Sequence, residues 1–296
     1  PKIFDLENAS ANVCRFSLFG KKIGEAYTAR LMEPDNFGAF NFFAQAELNR
    51  TARLLRMGIL YIPGQGTRVL PHEFVNLKEV AEIGPDHKAF EGILKAEKHK
   101  SRYSIPALWG HDYTKVTKIV QSPNKYLNLI NSEMQNKAER LKKLSSKLLV
   151  ARRLRLNTHR LISIVTKEKV LSNVWWTIKL REDKISKDII DSYIKLLNLW
   201  FNSTLWILLM LPETDVTQGA WIELKKTTLM KLPVIAPNQL NEDILEEVRV
   251  NVQAQQTQIT LHAEDILRYK ANGIEVNKEA VTSLFESVKK LSLIHI

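Results

Sequence analysis

The run Arg152-Arg153-Leu154-Arg155-Leu156-Asn157-Thr158-His159-Arg160 concentrates more groups able to grip another molecule than any other stretch of this 296-residue chain. Arginine forks onto phosphate or onto guanine O6 and N7, and an asparagine amide pairs bidentately with adenine, so the combination suits a duplex nucleic acid. On a strand, alternation sends Arg153 and Arg155 to the face opposite Arg152 and Leu154, which makes one face strongly cationic. The competing reading is a solvated strand whose arginines are held in cross-strand ion pairs.

Other candidate chemistry is thinner. His111-Asp112 follows the apolar run Pro106-Ala107-Leu108-Trp109-Gly110 and has the residue types of a general base with its carboxylate. Neighbours on a strand point to opposite faces, so the pair reads as a turn or a nucleic-acid contact rather than a catalytic couple. Glu213, Asp215, Glu223 and Lys225 could be the carboxylates and lysine of a Mg²⁺-dependent endonuclease, a different class of function. The spacing from Asp215 to Glu223 is short for the strand pair such enzymes use. The remaining histidines show no i, i+4 ligand spacing, and Cys14 is the only cysteine, which excludes an internal disulfide or a thiolate zinc cluster. No catalytic residue and no metal ligand is therefore assigned. Gly64-x-Gly66 lacks the Lys-Ser/Thr and the third glycine of a phosphate loop and reads as a turn. Trp175-Trp176 puts one indole on each face of a strand, one for the core and one outward, where it could stack on a base.

Charge points the same way as the arginine run. The 43 Lys and Arg against 32 Asp and Glu leave a formal +11, and the sequence pI is near 9.6. Between Lys95 and Lys169 there are 18 basic and 5 acidic residues, a local +13, leaving 25 basic against 27 acidic residues elsewhere. The excess sits in one patterned segment, as a surface that meets phosphates requires. Pro1 to Asp5 show no charged leader followed by an apolar stretch, so a cytoplasmic protein is expected, and the missing initial Met suggests a piece of something longer. Tyr193 to Leu211 approaches the ~20 apolar residues of a spanning helix. It contains Lys195, Asn198, Asn202, Ser203 and Thr204 and lacks flanking basic anchors, so it reads as a buried core helix.

The elements that must position these groups follow from periodicity. Phe40 to Met57 reads as a helix ended by Gly58, and Ile59 to Ile62 as a strand before a turn, with a domain boundary there. Val75 to Ile83 reads as a strand, Gly84-Pro85-Asp86 as a turn with an N-cap, His87 to Lys98 as a short amphipathic helix, and Tyr103 to Lys118 as a strand pair around Gly110. Ser132 to Lys147 reads as an exposed basic helix. Leu148 to Arg155, Arg160 to Val165 and Val170 to Lys179 read as an antiparallel meander. Ser186 to Leu211 is helical with a break near Asn202-Ser203, Trp221 to Leu224 is a strand, and the chain is mildly acidic and helical from Asn241.

Leu148 to Leu161, followed by Val170-Leu171-Ser172-Asn173-Val174-Trp175-Trp176, resembles the C-terminal target-recognition region of bacterial N6-adenine DNA methyltransferases. Leu197 to Thr204 is similar to that region's apolar helix, and Gly219 to Leu229, ending Leu232-Pro233-Val234, to its closing strand and helix. Ala44 to Ala52, Ala81 to Asp86 and Pro106 to Asp112 extend the likeness, which covers about residues 42 to 237. The resemblance implies a module of a restriction-modification or phage-defence system. One region of such a protein reads DNA while another moves a methyl group from S-adenosylmethionine to a flipped adenine. The family's adenine-gripping tetrapeptide needs adjacent prolines, and this sequence has no Pro-Pro pair. The cofactor is therefore expected in a catalytic domain absent from this chain.

The fold class expected is α+β, a central mixed or antiparallel sheet flanked by helices with a helical C-terminal extension. Residues 1–58 would join the catalytic domain, 59–237 would be the DNA target-recognition domain, and 238–296 the extension. Double-stranded DNA and the methyltransferase catalytic domain are the expected partners, without a membrane. Lys115, Lys118, Arg152, Arg153, Arg155, Asn157, Arg160, Lys225 and Lys226 are the expected DNA-binding residues. An RNA-binding or assembly role is a third reading, since a basic sheet serves RNA equally well.

Overall fold

Strands buried on both faces of their pleat, such as Ser146–Ala151, build the largest sheet of the chain. The computed structural model describes residues 13–18, 21–27, 46–62, 66–70, 73–110, 116, 119–154, 161–217 and 221–239. In chain order these carry β1 (Val13–Leu18), β2 (Lys21–Tyr27), α1 (Ala46–Arg56), β3 (Ile59–Ile62), β4 (Gly66–Val69) and β5 (Phe74–Asn76). Next come α2 (Leu77–Val80), β6 (Ala81–Ile83), β7 (Leu94–Glu97), β8 (Ser104–Leu108), β9 (Val120–Gln121), β10 (Lys125–Leu129) and α3 (Gln135–Lys142). The remainder are β11 (Ser146–Ala151), β12 (Arg153–Leu154), β13 (Ser163–Ser172), β14 (Trp175–Leu180), α4 (Ile190–Phe201), α5 (Thr204–Met210), β15 (Asp215–Thr217), β16 (Trp221–Glu223), α6 (Lys226–Lys231) and β17 (Pro233–Ile235).

Two compact units divide these residues. The first holds the antiparallel pairs β1–β2 and β3–β4 with α1 and α5. Gly58, at φ 74°, turns the chain from α1 into β3, where a side chain would be strained. Ala52 and Leu55 on α1 and Leu205, Trp206, Leu208 and Leu209 on α5 are buried. Arg56 reaches the Glu213 carboxylate at 2.5 Å.

The second unit is an α+β body around an eight-stranded mixed sheet of order β6-β14-β11-β13-β8-β10-β7, with β9 paired to β13. Two smaller sheets have the orders β12-β16-β15 and β17-β5. The expected meander is corrected: β13 and β14 are consecutive in sequence, yet they flank β11 on opposite edges. The β11–β13 register moves from Leu148↔Val165 to Ser146↔Val170, so Thr166 to Lys169 bulge out opposite Lys147 and join two β runs into one irregular strand.

α4 is welded to this sheet through amides. The Asn202 Oδ1 accepts from the Ile162 and Ser163 amides at 2.8 and 3.1 Å, and its Nδ2 donates to the Ser163 and Asn198 carbonyls. The Tyr193 hydroxyl donates to Ile235 O and the Trp200 indole to Pro233 O, fixing β17 under the helix. The helix break expected near Asn202-Ser203 is present, and Ser203 caps α5 by accepting from the Trp206 amide. Among the described residues no single helix is long and apolar enough to cross a membrane; α4 and α5 meet that composition only when taken together.

Four local expectations are corrected. Val75 to Ile83 is not one strand: Glu79 Oε1 accepts from the Asn76 amide and side chain, and this Asn-x-x-Glu signature starts the helical turn α2. His87 to Lys98 gives only a 3₁₀ turn, His87–Phe90, because Gly92 at φ 70° reverses the chain into β7. The basic helix stops at Lys142, and Ser146 and Lys147 belong to the strand that follows. Trp175 and Trp176 are both buried, so neither indole is offered outward. Of the strand pair expected around Gly110, β8 is the first arm; residues 111–115 and 117–118 lie outside the described residues.

Candidate nucleic-acid interface

β12 is the point on which the candidate site turns. The Arg152 amide donates to Val174 O and its carbonyl accepts from the Leu224 amide at 2.9 Å, so the arginine run is tied to the β13–β14 turn and to the end of β16. The β12–β16 register then sets Arg153 opposite Glu223, and Lys225 and Lys226, both exposed, follow immediately. Two basic segments more than sixty residues apart in sequence, by order of magnitude, thereby meet at one edge.

Arg152 itself faces inward, as alternation with Arg153 requires. Its side chain is only 15% exposed. The guanidinium stands 4.4 Å above the Trp176 ring, donates to Asn173 O at 3.0 Å and reaches Asp86 Oδ2 at 2.9 Å. Trp176 in turn donates its indole proton to Leu224 O at 2.8 Å. Arg152 was expected to contact DNA; its geometry instead makes it an internal tie, held by a carboxylate, a carbonyl and a buried ring.

The tie extends to two further loops. Asn173 Oδ1 accepts from the Gly110 amide at 2.8 Å, and the Asn124 side chain clamps Trp109, accepting from its amide at 2.7 Å and donating to its carbonyl at 2.9 Å. Trp109 packs edge-on against Phe90 of the 3₁₀ turn, with ring centroids 5.2 Å apart. Asp86 caps that turn by accepting from the Lys88 amide and contacts His87 Nδ1 at 2.6 Å. Burial pushes the Asp86 carboxyl upward, but the Lys88 amide and the charges of Arg152 and His87 outweigh it and hold it below the usual carboxylate range. Lys226 Nζ reaches back to Gly84 O at 3.5 Å. A Cβ on Gly84 would lie 1.9 Å from Thr177 Oγ1, so its smallness serves strand packing rather than the approach of a cofactor.

The outcome for the expected contact residues is uneven. Arg153 is the most available, 61% exposed at its side chain with Glu223 at 4.0 Å. Lys225 and Lys226 share its edge. Lys115, Lys118, Arg155, Asn157 and Arg160 lie outside the described residues; the chain enters their segments from Gly110, from Val116 and from Leu154, two of which are at the network just described. For the nuclease reading, β15–β16 pairing sets Asp215 directly opposite Glu223, closer in register than the sequence spacing suggests. Among the described residues no group of three or more His, Cys, Asp or Glu could hold a metal ion. Asn124 and Asn173 are organising residues that the sequence reading did not single out, and Asp86 is one it named only as an N-cap; each stands next to a Pro or Ser.

No protein-family model and no curated protein matches this chain. Solved structures that match include the type IIG restriction endonuclease BpuSI, at 9% identity and a TM-score of 0.46, over 74% of this chain and 31% of that one. A structure of the type I R-M system matches at 13% identity and 0.34, over 82% and 50% of the two chains. The HsdS subunit from Thermoanaerobacter tengcongensis matches at 13% identity and 0.25, over 82% and 49%. The chain thus spans a third to a half of these neighbours, which are proteins of restriction-modification systems.

Proposed function

We propose that this chain reads duplex DNA as the target-recognition part of an N6-adenine DNA methyltransferase, in a restriction-modification or phage-defence setting. The observation that carries the reading is the β12–β16 pairing. It puts Arg153, Lys225 and Lys226 on one edge of a braced set of loops, and the segment bearing Arg155, Asn157 and Arg160 leaves directly from β12. Exposed cations supply phosphate contacts, polar side chains on loops supply base contacts, and a rigid base keeps the two in register. The likeness of Leu148 to Leu161 and of Gly219 to Leu229 to the family's recognition region supports the same reading.

Methyl transfer is assigned elsewhere. The residues here do not fit S-adenosylmethionine: no Pro-Pro pair exists to grip an adenine, and the space over Gly84 is taken by Thr177 rather than left for a cofactor. The cofactor and the chemistry belong to the proposed catalytic partner domain.

A gel-shift salt series tests the reading. Each neutralised phosphate contributes about −0.9 to the slope of log K against log salt; a slope near zero refutes it. The Asp215–Glu223 register favours one competing function, Mg²⁺-dependent DNA cleavage. Plasmid nicking that Glu223→Ala abolishes would establish cleavage and displace the recognition reading.

A further inference from the structure

The turn between β7 and β8 carries a basic surface that the interface above leaves unused. Lys98, Lys100 and Arg102 are all exposed, and none of the three has a carboxylate partner among the described residues. The nearest acids along the chain and on α3 are already engaged, Glu97 with Lys95 at 3.1 Å and Glu139 with Lys142 at 3.7 Å. An aromatic face holds Lys100 without neutralising it, whereas Lys142 has both a ring and the Glu139 carboxylate. Lys100 Nζ lies 5.0 Å from the Tyr126 ring centroid and Lys142 Nζ 5.5 Å from that of Tyr103. Arg140 and Lys143, also exposed, extend the positive surface at the end of α3.

This turn is built to stay in place. Asn128, 5% exposed, donates to His99 O at 2.9 Å and to Glu97 Oε2 at 2.8 Å, while its Oδ1 accepts from Ser104 Oγ at 2.6 Å and from the Ser101 amide. Ser101 Oγ donates to Tyr103 O at 2.7 Å. A braced loop spends little entropy when a partner binds, so its cations act at nearly full strength.

The place of the turn in the sheet decides what it can reach. It enters β8 at Ser104, and β8 leaves at Leu108 for Trp109 and Gly110 of the interface network. Five residues of strand at about 3.3 Å each separate the two surfaces by about 16 Å. At 3.4 Å per phosphate along a strand, that is about five base pairs.

We propose that Lys98, Lys100 and Arg102 form a second, sequence-independent phosphate contact that grips duplex DNA about five base pairs to one side of the recognised word. The inference rests on the DNA-recognition reading and adds to it the length of duplex engaged.

The test uses the full chain and a mixed-sequence duplex of about 30 base pairs, followed by fluorescence anisotropy from about 50 to about 200 mM salt. The triple variant Lys98→Gln/Lys100→Gln/Arg102→Gln is expected to flatten the log–log slope by up to about 2.7, so that the parent loses up to about 40-fold more affinity than the variant across that range. Lys98→Arg/Lys100→Arg, which keeps the charge, should retain the parent slope. Shortening the duplex stepwise to about 10 base pairs should weaken the parent and leave the triple variant little changed. A steep parent slope that Arg153→Gln/Lys226→Gln flattens and the triple variant does not would overturn this contact while the recognition reading stands. A parent slope near zero would overturn both.

Discussion

Arg152→Met separates the two roles an arginine in this run can have. The substitution removes a charge-assisted hydrogen bond to Asn173 O and a cation–π contact to a tryptophan that is 5% exposed. These contribute about 1.5–3 and about 1–2 kcal/mol respectively. The ion pair to Asp86, whose side chain is 49% exposed, adds at most about 1 kcal/mol after solvent screening. Methionine keeps much of the stem packing on the ring, which returns part of the loss. The net is about 3 kcal/mol, and for a unit of this size about 6–12 °C in Tm.

Differential scanning fluorimetry measures the shift, and a salt series run well below the variant's Tm measures the DNA role. An internal tie predicts the large Tm loss with an unchanged salt slope, whereas Arg153→Gln, at the exposed neighbouring residue, should leave Tm within about 1 °C and flatten the slope by about 0.9. A Tm change under about 2 °C for Arg152→Met, or a slope change of about 0.9 without loss of stability, would refute the assignment.

Gly84→Ala places a methyl group against Thr177 Oγ1 and should cost about 1–3 kcal/mol in urea unfolding, partly restored by Thr177→Ala. Asn202→Ala strips the β13 entry of four hydrogen bonds made by one side chain; a loss of about 2–4 kcal/mol is expected, and a loss below about 1 kcal/mol would mean that water replaces them freely. Asp86 has a lowered folded pKa, so its contribution is present above the unfolded value of about 3.9 and disappears as pH falls through the folded one. Asp86→Asn should therefore flatten the acid limb of the stability curve below about pH 4 and leave the neutral region parallel to the parent.

Elements whose burial follows a simple period were legible from the chain. The break of the apolar segment at Asn202-Ser203 is an example, because asparagine and serine leave a helix to serve a neighbouring backbone or a cap. The Leu148–Ala151 strand was equally plain, its residues being apolar on both faces. What escaped was pairing at a distance. Nothing local says that β14 crosses to the far edge of β11, or that Thr166 to Lys169 bulge instead of ending a strand. At the candidate site, alternation correctly split Arg152 from Arg153, yet the partner that claims Arg152, Asp86, is sixty-six residues away. The turn at Asp86 was readable, its use as a counter-ion was not. One of the two indoles of Trp175-Trp176 was offered to a base on pattern alone, but both are buried, and the indole bond to Leu224 O shows what holds Trp176 inside.

The local +13 overstates the electrostatic reach of the segment from Lys95 to Lys169. Lys95, Lys142, Lys147, Arg152 and Arg153 each have a carboxylate within 4.0 Å, and a paired cation must exchange one anion for another when it meets phosphate. The net gain from such a residue is small, whereas Lys98, Lys100, Arg102, Lys125, Lys137, Arg140, Lys143, Lys167 and Lys169 have no carboxylate to give up among the described residues. Those residues are spread over the β7–β8 turn, β10, α3 and its end, and β13, so a single duplex cannot touch them all. The salt slope of this chain should therefore fall well short of the roughly −16 that eighteen phosphate contacts would give. A measured slope that steep would mean that the paired arginines and lysines let go of their carboxylates on binding, and the braced network around Arg152 would then be a feature of the free protein alone.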